Sequence, residues 1–316
     1  MVVGSGYGGG IAAARLSARG GNTVAVVERG REWPVGGFPD EPNEIVAATR
    51  IPGINPLGLY ELRAGGGISV LQGSGLGGTS LINGAVALAP DADVFDSARW
   101  PAGITFDALR PYYARARSVL APMRHPRARS FEKFRAMQRR ADEIGVAVEP
   151  LDVTVHFGAD GTNPYGVPHR ACTDCGDCMT GCNVGAKNTI AMNFLPMART
   201  NGADIFTQIE VQWIEKLPDG GWRVYGMRYS DFERPEAIEI DAGAVVLAAG
   251  SIGSTELLLR SRERGLALSD RLGEGFSGNG DFFAVAYNGD APVNTLGVGD
   301  RPFHAWRSRS PGTSVL

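Results

Sequence analysis

Apolar residues in this chain fall in short runs separated by glycine-rich turns, so strands and helices are expected to alternate. Val2-Val3 runs directly into Gly4-Ser5-Gly6-Tyr7-Gly8-Gly9. Residues 11–19, rich in Ala and Leu, predict a helix closed by Gly20-Gly21. The β-branched run at 23–27 predicts a strand ending on Glu28. The first strand has only about three residues against the usual ~5, so its true start is expected upstream of Met1. Residues 131–144 predict a helix. Residues 209–216 and 222–228 alternate on either side of Pro218-Asp219-Gly220-Gly221, the pattern of an exposed hairpin. Residues 245–249 read as a buried strand, followed by a glycine turn and a helix whose early Glu256 suits the dipole.

Composition narrows the class. The chain has 316 residues, 43% hydrophobic and 21% charged, which is ordinary for a soluble globular protein. Lys and Arg number 31 against 34 Asp and Glu, a balance that argues against nucleic acid or an anionic membrane as main partner. No apolar run approaches the ~20 residues of a membrane-spanning helix. The first residues carry no secretion signal, so a cytoplasmic location is expected.

The order at the N-terminus is strand, glycine turn, helix, strand, acidic residue. In this G-x-G-x-x-G pattern Gly4 allows the tight turn, Gly6 lets backbone approach a pyrophosphate, and Gly9 lets the helix pack on the strand. Tyr7 and Gly8 complete the turn at the helix N-terminus, where N–H groups and the dipole favour phosphate. Glu28 can accept from ribose hydroxyls, and its charge would repel a 2′-phosphate. The motif implies a dinucleotide and does not by itself separate FAD from NAD.

A second glycine-rich stretch includes Gly65-Gly66-Gly67 and runs from Gly73-Ser74-Gly75-Leu76-Gly77-Gly78 to Asn83-Gly84. So many glycines suggest a backbone pressed against a flat ligand, with Leu71, Leu76, Leu81 and Ile82 requiring burial. Here the sequence resembles the glucose–methanol–choline (GMC) family of flavin oxidoreductases, in particular its cholesterol-oxidase-like branch. Residues 73–84 look like the family's flavin-embracing signature, which implies that Gly77, Gly78 and Asn83 contact the flavin. Trp100-Pro101 and the 109–113 stretch are similar to the segment that leaves the flavin site. Residues 245–259 look like the second signature, including Gly250, and 272–275 and 278–281 continue the likeness. The resemblance also places the Val211 backbone beside adenine. A plain nicotinamide fold would leave 73–83 without a role, so the implied cofactor is FAD.

Cys172, Cys175, Cys178 and Cys182 sit in one eleven-residue window with the spacing of a bacterial ferredoxin run. Asn183 stands where proline usually follows, and no second run exists. Three readings stay open: a [4Fe–4S] cluster, a zinc site, or unmetallated thiols. None of His125, His156, His169 and His304 carries a partner motif, and each reads as a surface or loop residue rather than a catalytic one.

The expected architecture is α/β: a Rossmann-type FAD-binding domain with a parallel sheet and an antiparallel meander, plus an inserted, truncated substrate-side domain. The boundaries expected are 1–98 and 195–290 for the FAD domain, 99–194 for an insertion with the Cys run, and 291–316 for the start of a substrate domain. By resemblance the reaction is oxidation of an alcohol CH–OH, with a sterol as the leading small-molecule substrate. The family's proton-accepting His lies near the C-terminus, and no residue here matches it. The catalytic residues are therefore unassigned, and the chain is expected to be the N-terminal part of an oxidoreductase or an incomplete frame. An electron-transfer protein using flavin and iron–sulfur, and an inactive nucleotide-binding fragment, are the alternatives.

Overall fold

Val2, Val3, Val26 and Val27 are all buried, which is why these strands read as unbroken apolar runs rather than alternating ones. The computed structural model describes residues 1–230, 234–278 and 297–299. Elements are labelled in chain order. Strands β1 (Val2–Val3), β2 (Ala25–Val27), β9 (Asp204–Phe206) and β13 (Val246–Leu247) form a parallel sheet in the order β13-β1-β2-β9. Val2 pairs with Val246 on one side and Val26 on the other, and Ala25 pairs with Asp204. Helix α1 (Tyr7–Ser17) connects β1 to β2 and packs on α5 (Phe194–Thr200).

The expected hairpin is present as β10 (Ile209–Lys216) and β11 (Trp222–Arg228), and β12 (Glu236–Ala242) extends it to a three-stranded antiparallel meander. Helix α6 (Gly250–Glu263) follows β13. A core of Val3, Val27, Val211, Ile214, Val224 and Leu257 joins sheet, meander and α6. The fully buried Ser261 hydroxyl accepts from Ile214 N and donates to the Leu257 carbonyl, both at 2.9 Å, which ties α6 to β10.

The short helix α2 (Pro42–Ala47) precedes β3 (Tyr60–Gly65) and β4 (Ile68–Gly73), an antiparallel pair in which Gly65 faces Ile68. Gly66 and Gly67 have φ of 58° and 80°, the conformation a two-residue type I′ turn demands, and a Cβ on either would meet nothing within 4 Å. This part of the glycine-rich stretch is therefore a hairpin turn, not a ligand cradle. Of the leucines expected to be buried beside it, Leu76 and Leu81 are, and so is Ile82, but Leu71 is 42% exposed on the hairpin.

All of these elements belong to one compact unit, Met1–Ile82 together with the described residues of 190–278. A second unit is built on Asn83–Thr189. It holds α3 (Phe106–Leu120), β5 (Met123–Arg124), α4 (Glu132–Ile144), β6 (Asp152–Val153), β7 (Gly161–Thr162) and β8 (Pro168–His169). Thr105 caps α3 by accepting from Ala108 N at 3.2 Å, and Gly145 ends α4 at φ 70°. Its small core is Ala85, Val155 and Ala186. This division places boundaries at 82/83 and 189/190, against the expected 98/99 and 194/195. Residues 279–296 and 300–316 lie outside the described residues, including Asn279-Gly280-Asp281 and His304. No described helix is long and apolar enough to cross a membrane.

Candidate functional site

The first unit contains a cleft of about 680 Å³ where the carboxyl ends of β1 and β2 meet the two glycine loops and the N-terminus of α6. Ligands of open parallel sheets bind at strand ends of this kind. Gly4 has φ +94°, and a Cβ there would fall 2.4 Å from the Ala248 carbonyl oxygen. A Cβ on Gly9 would fall 1.9 Å from the Gly4 carbonyl oxygen, so α1 sits against the strand end more closely than a side chain permits. The second loop turns at Gly77 (φ +113°) and Gly78 (φ +59°), and a Cβ on Gly78 would lie 2.7 Å from Gly6 Cα. The two loops thus touch backbone to backbone.

Of the sequence-predicted site residues, Gly4, Gly6, Tyr7, Gly8, Glu28, Gly78, Val211 and Gly250 line this one cleft. Gly9 packs behind it, under the first turn of α1. Gly77 stands one residue back from the lining, with its N–H donating to Ser5 Oγ at 2.9 Å. Asn83 belongs to the second unit, where its Oδ1 accepts from Ala85 N at 3.2 Å and its carbonyl from Lys187 Nζ at 2.6 Å.

Glu28 directly follows β2 with a carboxylate that is only 7% exposed. Oε2 accepts from Ser5 N at 2.9 Å and Ser5 Oγ at 2.6 Å, and Oε1 accepts from Gly30 N at 2.8 Å. Burial pushes its carboxyl above the usual carboxylate range, against the pull of these hydrogen bonds and of Arg29.

The cleft wall also carries a charge network. Glu61 takes Arg29 at 2.5 Å, Arg50 at 2.8 Å, Arg63 at 2.9 Å and the Gln72 amide at 2.6 Å. Arg50 reaches on to Glu210 at 2.9 Å, Arg63 to Glu256 at 2.9 Å, and Tyr229 donates to Glu210 at 3.0 Å. Burial works to raise the Glu61 carboxyl, but Arg29 and the other donors outweigh it and hold it at about 2. The lining holds four Arg (29, 50, 63, 260) and four Glu (28, 61, 210, 256), so its side chains are balanced. The positive field left over comes from backbone. Helices α1 and α6 both start at the cleft, with no side-chain cap and no acidic residue in the first turn. Sequence reasoning missed this network. Glu61 and Arg63 share a face of β3 by the period of two, but Arg50 and Glu210 are 160 residues apart and carry no local signal.

The cysteine run lies in the second unit. No disulfide joins the four cysteines, and among the described residues no group of three or more His, Cys, Asp or Glu is placed to hold a metal. The arrangement gives no support to the [4Fe–4S] or zinc reading that the ferredoxin-like spacing left open. The thiols face protein instead. Cys172 Sγ accepts from Asp174 N and Cys178 Sγ from Val298 N, both at 3.4 Å. Burial pushes the Cys172 thiol up to about 12 and that of Cys175 to about 11. Lys187, 2% exposed, donates to the carbonyls of Asn83 and Cys178. Burial lowers its ammonium to about 8.

No described histidine lines the cleft. His125 is buried rather than on the surface, with Nε2 2.8 Å from Asp174 Oδ1 and its ring against Phe131 and Phe157. His156 and His169 stack at 4.5 Å.

A parallel sheet, a glycine turn into a helix and an acidic residue ending the second strand define a Rossmann-type dinucleotide-binding α/β protein. The family model described as GMC oxidoreductase matches residues 8–276. A cholesterol oxidase of Mycobacterium tuberculosis is 32% identical over 86% of this chain and 50% of its own length. A cholesterol oxidase of Acinetobacter baumannii is 28% identical over 86% and 52%. A long-chain-alcohol oxidase of Arabidopsis thaliana is 27% identical over 83% and 33%. Among solved structures, a formate oxidase from Aspergillus oryzae matches with TM-score 0.52 at 15% identity, covering 82% of this chain and 47% of its own. The chain belongs to the GMC oxidoreductase family, whose members bind FAD. It spans about half the length of the cholesterol oxidases it matches.

Proposed function

We propose that this chain holds FAD in the cleft of its first unit and forms the nucleotide-binding part of an oxidoreductase acting on an alcohol CH–OH group. The observation that carries this reading is the meeting of the two glycine loops. Gly6 and Gly78 present bare backbone at one point of the cleft, beside the start of α1 and within the same lining as Glu28 and Val211. A flat, doubly phosphorylated ligand with ribose hydroxyls suits these groups. The pyrophosphate would meet the N-terminus of α1, the ribose Glu28, and the adenine the Val211 backbone.

When bound, FAD supplies the acceptor for the hydride that leaves the carbinol carbon. The chain's own residues bind and orient it: the glycines admit its backbone-close approach, and the balanced Arg–Glu wall adds no net charge that would favour a 2′-phosphate. Gly77 and Gly78 are assigned to the flavin side on the family signature. The alcohol proton would pass to a base outside the described residues. A sterol or another bulky lipophilic alcohol is the proposed substrate class, supported by relatives that are cholesterol oxidases and a long-chain-alcohol oxidase.

The visible spectrum of the purified protein tests the reading. Two resolved flavin bands, bleached anaerobically by a sterol or long-chain alcohol, are expected. A chain that stays colourless after incubation with FAD would refute the nucleotide assignment, and a yellow chain that no alcohol bleaches would refute the reaction.

A further inference from the structure

Ser5 occupies the first variable position of the glycine turn, and nothing in a G-x-G-x-x-G pattern requires a hydroxyl there. Yet it is fully buried, and its side chain joins three segments distant in the chain. Its Oγ donates to Glu28 Oε2 at 2.6 Å and accepts from Gly77 N at 2.9 Å. The Gly75 carbonyl, at 3.4 Å, is too far to compete for the single hydroxyl proton. We propose that Ser5 is a positioning residue for the dinucleotide, one hydroxyl fixing together the ribose-binding carboxylate of Glu28 and the left-handed turn of the second glycine loop. The proposal rests on the assignment of FAD to this cleft.

The geometry argues against Ser5 as a small filler. A filler would satisfy the space but leave two buried polar groups without partners, Glu28 Oε2 in part and the Gly77 N–H wholly. The arrangement also selects which carboxylate oxygen serves a ligand. Oε2 already takes both the N–H and the O–H of Ser5, whereas Oε1 takes only Gly30 N. With about two acceptor sites per oxygen, Oε1 is the atom with room for a ribose hydroxyl. Ser5 therefore fixes the carboxylate's rotation and, by donating to it, favours its ionised form. The charged side chain bearing on Glu28 is Arg29, whose own partners are Glu61 and Glu210.

FAD affinity, measured by flavin fluorescence on the deflavinated protein from pH 5 to 9, tests this. Wild-type affinity is expected to hold at high pH and fall once acid protonates Glu28. Ser5→Ala should weaken binding about tenfold at pH 8 and move the acid fall to higher pH, because the carboxylate loses a donor that favours its charge. In a Glu28→Gln background the acid fall should vanish, and Ser5→Ala should add well under tenfold. If Ser5→Ala does not fold, Ser5→Cys, which keeps the volume with a weak donor, should show a smaller shift in the same direction. An unmoved pH profile in the variant that folds, or full additivity with Glu28→Gln, would overturn the proposal. Wild type that binds no FAD at any pH would instead overturn the assignment of the cleft on which it rests.

Discussion

The charge network around Glu61 gives the sharpest expectation for stability. Its carboxylate, 5% exposed, is the shared acceptor of Arg29, Arg50, Arg63 and Gln72. Replacing it by Gln keeps the shape but leaves three guanidinium groups to share the two remaining carboxylates, Glu210 and Glu256. Two routes give the size of the loss. A carboxyl held at about 2 rather than 4.5 corresponds to about 3 kcal/mol of stability at neutral pH, at about 1.4 kcal/mol per unit. Breaking a buried ion pair from one side typically costs about 3–5 kcal/mol. The sign follows from the depressed value: the contribution is complete above about pH 4.5 and disappears as pH falls towards about 2. Urea unfolding at pH 7 should therefore show Glu61→Gln less stable than wild type by about 3 kcal/mol. The gap should close between about pH 4.5 and pH 2 as wild type loses the same contribution. A difference below about 1 kcal/mol at pH 7, or one that persists unchanged at pH 2, would refute the reasoning.

Glu28→Ala should weaken FAD retention by about 1–3 kcal/mol, the cost of leaving ribose hydroxyls without their buried acceptor, as read by the flavin dissociation constant. Gly4→Ala should prevent stable folding of the first unit, since its Cβ would meet the Ala248 carbonyl oxygen at 2.4 Å at φ +94°; a wild-type melting temperature would contradict this. Lys187 has its pKa depressed to about 8, so the unfolded chain binds the extra proton above that point and stability should rise from pH 8 to 9. Lys187→Met should abolish that rise. The raised thiols of Cys172 and Cys175 oppose it only above about 9, so equal pH slopes in both proteins would count against the buried ammonium. With thiol values of about 12 and 11, alkylation of Cys172 and Cys175 by iodoacetamide should be slow at pH 7.5 and speed up towards pH 11; fast labelling at neutral pH would refute their burial as neutral thiols.

Local chemistry was legible without coordinates wherever a conformation or period demands one residue type. The turn at Gly4, a helix after it (expected over 11–19, found over 7–17) and the β10–β11 hairpin follow from glycine, apolar runs or alternation; β13 is present but only partly buried. The placing of Gly4, Gly6, Gly8 and Glu28 at one cleft follows too, because a Rossmann order fixes where its strand ends lie; Gly78, Val211 and Gly250, which line the same cleft, are implied by the family resemblance alone. Composition alone could not tell a hairpin turn from a cradle: Gly66-Gly67 and Gly77-Gly78 look alike as dipeptides, and they differ only in whether another backbone lies within reach. Cysteine spacing likewise reports which thiols are close in the chain. Whether they converge on a metal depends on where the loop turns them, and here Cys172 and Cys178 accept from main-chain N–H groups. The Arg–Glu wall and the Ser5 hydroxyl belong to tertiary structure for the same reason. Their partners lie tens to more than a hundred residues apart, and a charge or hydroxyl has no periodicity to announce its mate.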